Sequence, residues 1–86
     1  LKAIGGLSHV TKDGNIVLRG GKVPAIYSFV VNKKGRKIGV VKDVIGPTSN
    51  PYVVVKPVGR FSEKELSSMR FYELRKRRRY VGGKKG

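Results

Sequence analysis

The chain contains no cysteine, which excludes a disulfide, a thiolate metal site and a cysteine nucleophile. Histidine occurs once, at His9, and without companions it reads as a strand-surface residue rather than a ligand or base. Only five residues are acidic. Glu63 and Glu65 are the one close pair, in an expected surface turn, so no general acid–base couple can be nominated. Asp13 reads as a turn former and Asp43 as a strand residue paired with a nearby lysine. No Walker-type loop or Gly-x-Gly-x-x-Gly run precedes a helix, and no metal-ligand spacing occurs. No apolar run approaches the ~20 residues of a membrane helix, and Leu1 to Gly6 is too short and broken for a signal peptide. The expectation is a soluble intracellular protein that is not an enzyme, with no cofactor, metal, small-molecule ligand or membrane partner.

What is present in excess is positive charge. Twenty Lys and Arg against five Asp and Glu give +15 over 86 residues, and residues 70–86 alone carry +7 of it. Such an excess points to polyanions, above all nucleic acid or a nucleoprotein surface. Arg75, Lys76, Arg77, Arg78 and Arg79 form an unbroken basic run before a glycine–lysine end. It reads as a flexible tail over 75–86, with those five residues as candidate phosphate contacts.

The remaining length suits one small domain over 1–74, with a modest core. Val, Ile, Tyr and Phe recur in short runs punctuated by Gly, Asn, Asp or Pro at about 8–12-residue intervals, the pattern of an all-β fold. Strands are expected over Ala3 to Thr11, Ile16 to Arg19, Tyr27 to Val31, Lys37 to Ile45 and Pro51 to Lys56, with a hairpin turn at Asp13-Gly14-Asn15. Alternation puts Tyr27, Phe29 and Val31 on one face. It puts Ile38, Val40 and Val44 on one face of a second strand, opposite Val41, Asp43 and Ile45. Gly39 inside that strand needs a bulge or a close backbone approach to justify it. Ser62-Glu63-Lys64-Glu65 carries a capping-box pattern. It starts either a helix through Glu73 or one helical turn ending near Ser67 and a last strand over Met69 to Glu73. The second is preferred, because many short strands call for closure into a barrel.

Seven aromatics are available for stacking on bases: Tyr27, Phe29, Tyr52, Phe61, Phe71, Tyr72 and Tyr80. The alternation of Tyr27 and Phe29 with Val31 is that of a core face, however, so base stacking is not the favoured reading. The stretch Ile45-Gly46-Pro47-Thr48-Ser49-Asn50-Pro51 points elsewhere. Gly46 admits unusual φ, Pro47 fixes the next residue, and Pro51 holds Asn50 out of the helical region. A loop so constrained orders at low entropic cost when a partner binds. The Tyr52-Val53-Val54-Val55 run that follows is apolar on both faces. One face belongs to the core, and the other, with Ile45, Pro47 and Pro51, is an apolar patch for a partner, unless a tightly coiled barrel covers it.

The run from Ile38 to Pro47, followed by Asn50 to Pro57, closely resembles the signature of the Gar protein subunit of box H/ACA ribonucleoproteins: an aliphatic strand, Gly-Pro, a short spacer, then Pro-Tyr and a valine-rich strand ending in Lys-Pro. The resemblance implies a closed six-stranded β-barrel that docks on the catalytic domain of the H/ACA pseudouridine synthase. It implies a non-catalytic role in substrate loading and product release, with guide and substrate RNA reached mainly through the complex. Carried over by position, Ile45, Gly46, Pro47, Pro51, Tyr52 and Val54 are the candidate interface. The glycine–arginine repeats of eukaryotic members are missing, so the chain is similar to the compact archaeal form, which implies a cytoplasmic rather than nucleolar setting. The rival from the residues alone is an independent basic RNA-binding barrel of ribosomal or translation-factor type.

Overall fold

The computed structural model describes residues 2–20, 23–47 and 49–74; the basic segment 75–86, with the candidate phosphate contacts Arg75 to Arg79, lies outside them. Six strands form in chain order: β1 (Lys2–Val10), β2 (Ile16–Arg19), β3 (Phe29–Val31), β4 (Lys37–Ile45), β5 (Tyr52–Pro57) and β6 (Phe71–Leu74), with one short helix, α1 (Glu63–Ser67), between the last two. They close into a barrel in the order β1-β2-β5-β4-β3-β6, and β6 returns to β1. Every pairing is antiparallel. Each strand therefore has a neighbour on both sides, and none is an edge strand of an open sheet.

Local chemistry sets the connections. In the first hairpin Gly14 takes φ +88°, its N–H donates to the Thr11 carbonyl at 2.9 Å, and the Thr11 hydroxyl accepts from the Asn15 N–H at 3.1 Å. In the β3–β4 hairpin the Asn32 side-chain oxygen accepts from the N–H groups of both Lys34 and Arg36 at 2.9 Å. Helix α1 is a single turn opened by the capping box: Ser62 Oγ accepts from the Glu65 N–H, and the Glu65 carboxylate accepts from the Ser62 N–H. The helix ends at Ser67 and the chain resumes as a strand at Phe71, the preferred of the two sequence readings.

The core is built from Ile4, Ile16, Leu18, Val30, Ile38, Val41, Val53, Val55, Leu66 and Phe71. Leu66 is the one buried residue of α1 and joins the barrel core; Phe61 and Met69 on either side of the helix pack against the same core. Gly39 sits where β4 and β5 pack closely. A methyl group there would meet the Lys56 carbonyl oxygen at 2.4 Å and Val55 Cγ1 at 2.6 Å, so the close approach anticipated for this glycine is present.

Two expectations about side-chain facing are corrected. In β4, register shifts leave Ile38 unmatched against β3 and Lys42 unmatched against β5. Each such bulge reverses the in–out alternation. Ile38 and Val41, not Ile38 and Val40, therefore share the core, and Val40 turns outward opposite the exposed Lys56. In the segment before β3, Tyr27 is not on a core face: it precedes the strand, has φ +69° and is 78% exposed. Beyond it Val30 and Val31 are both buried, but only Val30 belongs to the core cluster. Asp43 does not pair with a lysine among the described residues; its carboxylate accepts from the Val44 N–H at 2.8 Å.

The glycine environments give a paired test. Gly39→Ala is expected to cost about 1–3 kcal/mol or more through overpacking. Gly6→Ala, where a methyl group meets nothing within 4 Å, is expected to stay within about 0.5 kcal/mol of the parent chain. Urea unfolding followed by circular dichroism compares the two, and equal midpoints would contradict the packing described.

Candidate functional site

The candidate face lies on the outside of the β2–β5–β4 wall. In β5, Val53 and Val55 point into the core, and Tyr52 and Val54 point outward and are half-buried. Register then assembles the face in two rows: Arg19, Tyr52 and Ile45 in one, and His9, Val17, Val54 and Asp43 in the other. Both faces of β5 are apolar because it pairs with a second all-apolar run, Ile16 to Leu18. The side chains of Val17 and Val54 are register neighbours on the outer surface. Val17 is left only 3% exposed although it is not part of the core cluster.

At the upper end of the face, Ile45 is 48% exposed and leads into the Gly46–Pro47 turn. Gly46 takes φ +93°, and a methyl group on it would meet the Tyr52 ring at 3.2 Å. The ring thus packs over the glycine. The Asn50 N–H donates to the Pro47 carbonyl at 3.1 Å and closes the loop. The Arg19 guanidinium sits 5.9 Å from the Tyr52 ring centroid, within the reach of a cation–π contact.

Of the six residues singled out, Ile45, Gly46 and Pro47 are exposed, Tyr52 and Val54 are half-buried, and Pro51 is buried. The structure brings Ile45, Tyr52 and Val54 onto one face beside the Gly46–Pro47 loop. Pro51 offers little surface of its own and acts by shaping the chain. Sequence reasoning missed Arg19 and Val17. Strand pairing is what adds them; the signal was the Ile16-Val17-Leu18 run, which matches Val53-Val54-Val55 in having no polar face.

Among the described residues no group of three or more His, Cys, Asp or Glu side chains could hold a metal ion. The carboxylates of Asp43, Glu65 and Glu73 all accept backbone N–H groups. His9 is exposed, with Nδ1 3.0 Å from the Ser8 hydroxyl.

The model of the Gar1/Naf1 RNA binding region matches residues 1–81. The chain belongs to this family. The family description assigns the region to RNA binding, in agreement with the net charge of +15. An uncharacterized protein of Methanothermobacter thermautotrophicus is 40% identical over 57 residues, covering 66% of this chain and 62% of that protein. An uncharacterized protein of Methanocaldococcus jannaschii is 36% identical over 52 residues, covering 60% of this chain and 63% of that protein. The matched segments therefore span less than two thirds of either relative's own length.

Gly46→Ala is expected to lower stability by about 1 kcal/mol, because alanine at positive φ is strained. It should also shift the amide resonances of Ile45, Asn50 and Tyr52, since the ring must move off the new methyl group. Tyr52→Ala removes a residue from outside the core and should leave the barrel folded. A two-dimensional amide NMR spectrum checks both; a collapsed spectrum for Tyr52→Ala would contradict the outward placement of the ring.

Proposed function

We propose that this chain is a non-catalytic accessory subunit of the H/ACA RNA-guided pseudouridylation particle, docking on the catalytic domain of the pseudouridine synthase. The observation that carries this reading is the outer face of β5, where Tyr52 and Val54 continue the exposed Ile45 into an apolar surface bordered by a rigid Gly-Pro turn. A tyrosine packed on glycine, with an arginine beside it, has the composition of an interface anchor. Because Gly46, Pro47 and Pro51 restrict the backbone beside this surface, docking costs less conformational entropy. Seated there, the barrel biases a mobile loop of the synthase between holding substrate RNA and releasing it, and so aids loading and product release. Guide and substrate RNA are reached mainly through the complex. A cytoplasmic setting is part of the same proposal.

A second reading, an independent RNA-binding barrel, draws on the family description and on the exposed Lys33, Lys34 and Arg36 of the β3–β4 hairpin. Salt separates the two. Nuclease-treated chain and RNA-free synthase should co-elute in size exclusion at about 0.5 M salt, where phosphate contacts are largely screened. The Pro47→Ala/Tyr52→Ala double variant should not co-elute. Failure of the parent chain to co-elute, with tight salt-sensitive binding to RNA alone, would favour the second reading.

A further inference from the structure

The opposite end of the same outer wall carries a feature that the docking face does not use. Tyr27 is the only non-glycine residue with positive φ among the described residues. A bulky side chain in that region carries backbone strain of about 1–3 kcal/mol, which persists only where the surroundings hold it. Here they do. The Tyr27 N–H donates to the Val41 carbonyl at 2.8 Å, and the Val41 N–H donates to the Ser28 carbonyl at 2.9 Å. The Ser28 hydroxyl donates to the Ala25 carbonyl at 2.7 Å, and the Ala25 N–H donates to the buried Glu73 carboxylate at 2.9 Å. The turn is clamped between β4 and β6. Its effect is to hold an aromatic ring in solvent, 78% exposed, with no ring or hydrogen-bond partner for the side chain among the described residues.

The ring overlooks a groove of about 660 Å³, a volume suited to a small ligand such as a nucleotide. Its apolar floor includes Val40, turned outward by the bulges of β4. Lys42 and Lys56 supply cations, and Asp13 and Asn15 of the first hairpin complete the lining. Both lysines are exposed and neither has a carboxylate partner among the described residues. Phe29, paired with Val40, already has its ring covered by the Lys37 ammonium at 4.4 Å, so Tyr27 presents the free aromatic surface.

We infer that this groove is a binding site for single-stranded RNA, in which one base stacks on Tyr27 and the adjoining phosphate is held by Lys42 and Lys56. An aromatic platform interleaved with lysines matches such a strand in both shape and charge. The Asp13 carboxylate repels phosphate and can accept from an exocyclic amino group of a base. With Asn15 it turns the base edge toward the hairpin and the backbone toward the lysines. Lys56 and Tyr52 are four positions apart on β5, about 13 Å, so the groove lies at the far end of that strand from Tyr52, the aromatic anchor of the docking face. The site does not require the synthase, and its test runs without it.

The full chain is titrated into fluorescein-labelled hexacytidylate at about 0.2 M KCl and followed by anisotropy. Tyr27→Gly and Tyr27→Asn both tolerate positive φ, so the turn should remain folded with a melting temperature no lower than that of the parent chain. Each should weaken RNA binding about tenfold, the scale of one lost base–aromatic stack. Tyr27→Phe should bind within about twofold of the parent. Lys42→Gln/Lys56→Gln should reduce the slope of log affinity against log salt by about 1.4, corresponding to two phosphate contacts on a single strand. Unchanged affinity in Tyr27→Gly, or an unchanged salt slope in the double lysine variant, would overturn the assignment. Loss of synthase co-elution by Tyr27→Gly with RNA affinity intact would overturn it too, since the groove would then take a protein. Failure of the parent chain to bind synthase would bear only on docking and leave the RNA result standing.

Discussion

The two bulges in β4 decide what the barrel shows to its surroundings. A strand of nine residues in a small closed barrel cannot keep strict alternation and follow the curvature of the wall. The chain absorbs the mismatch by leaving Ile38 unmatched on one side and Lys42 on the other. Between those points the alternation is inverted, so Val41 enters the core and Val40 leaves it. Beyond Lys42 the order is restored, which turns Val44 inward against the core and Ile45 outward next to Tyr52. One strand thus supplies the floor of a groove at one end and the rim of an apolar face at the other. Gly39 sits between the first bulge and Val40 and lets the backbones of β4 and β5 close to within a distance no side chain permits.

Much of this was legible from the residues. The strand positions follow from apolar runs bounded by turn residues, and the Ser62-to-Glu65 capping box marked the short helix. The Gly46-Pro47 and Pro51-Tyr52 elements marked the loop and its adjoining strand. What was not legible is which way the side chains of β4 point, because a bulge depends on the register of both neighbours and leaves no local mark in sequence. The exposure of Tyr27 escaped for a related reason. Tyr27, Phe29 and Val31 are spaced as a strand face. The strand nevertheless begins only at Phe29, since the preceding turn is held by Val41 and by the distant Glu73. The outer face of β5 was legible in kind, as an all-apolar strand, while Arg19 and Val17 joined it only through strand pairing.

The surface divides according to chemistry. At the Tyr52 end the wall is apolar, ordered by proline and glycine, and suited to a protein whose own apolar surface covers it. At the Tyr27 end an exposed ring, two lysines and a hairpin carboxylate are suited to a polyanion with a stacking base. Membership of an RNA-binding family and a net charge of +15 are consistent with both ends acting within one ribonucleoprotein. On the two proposals together, the barrel is a spacer that sets the distance between a protein contact and a nucleotide contact.

The division is tested most directly by placing a photocrosslinking amino acid at Tyr52 in one sample and at Tyr27 in another, each assembled with synthase, guide RNA and substrate RNA. The account predicts that the probe at Tyr52 crosslinks to the synthase and the probe at Tyr27 crosslinks to RNA. No synthase product from Tyr52, or synthase rather than RNA captured at Tyr27, would contradict it.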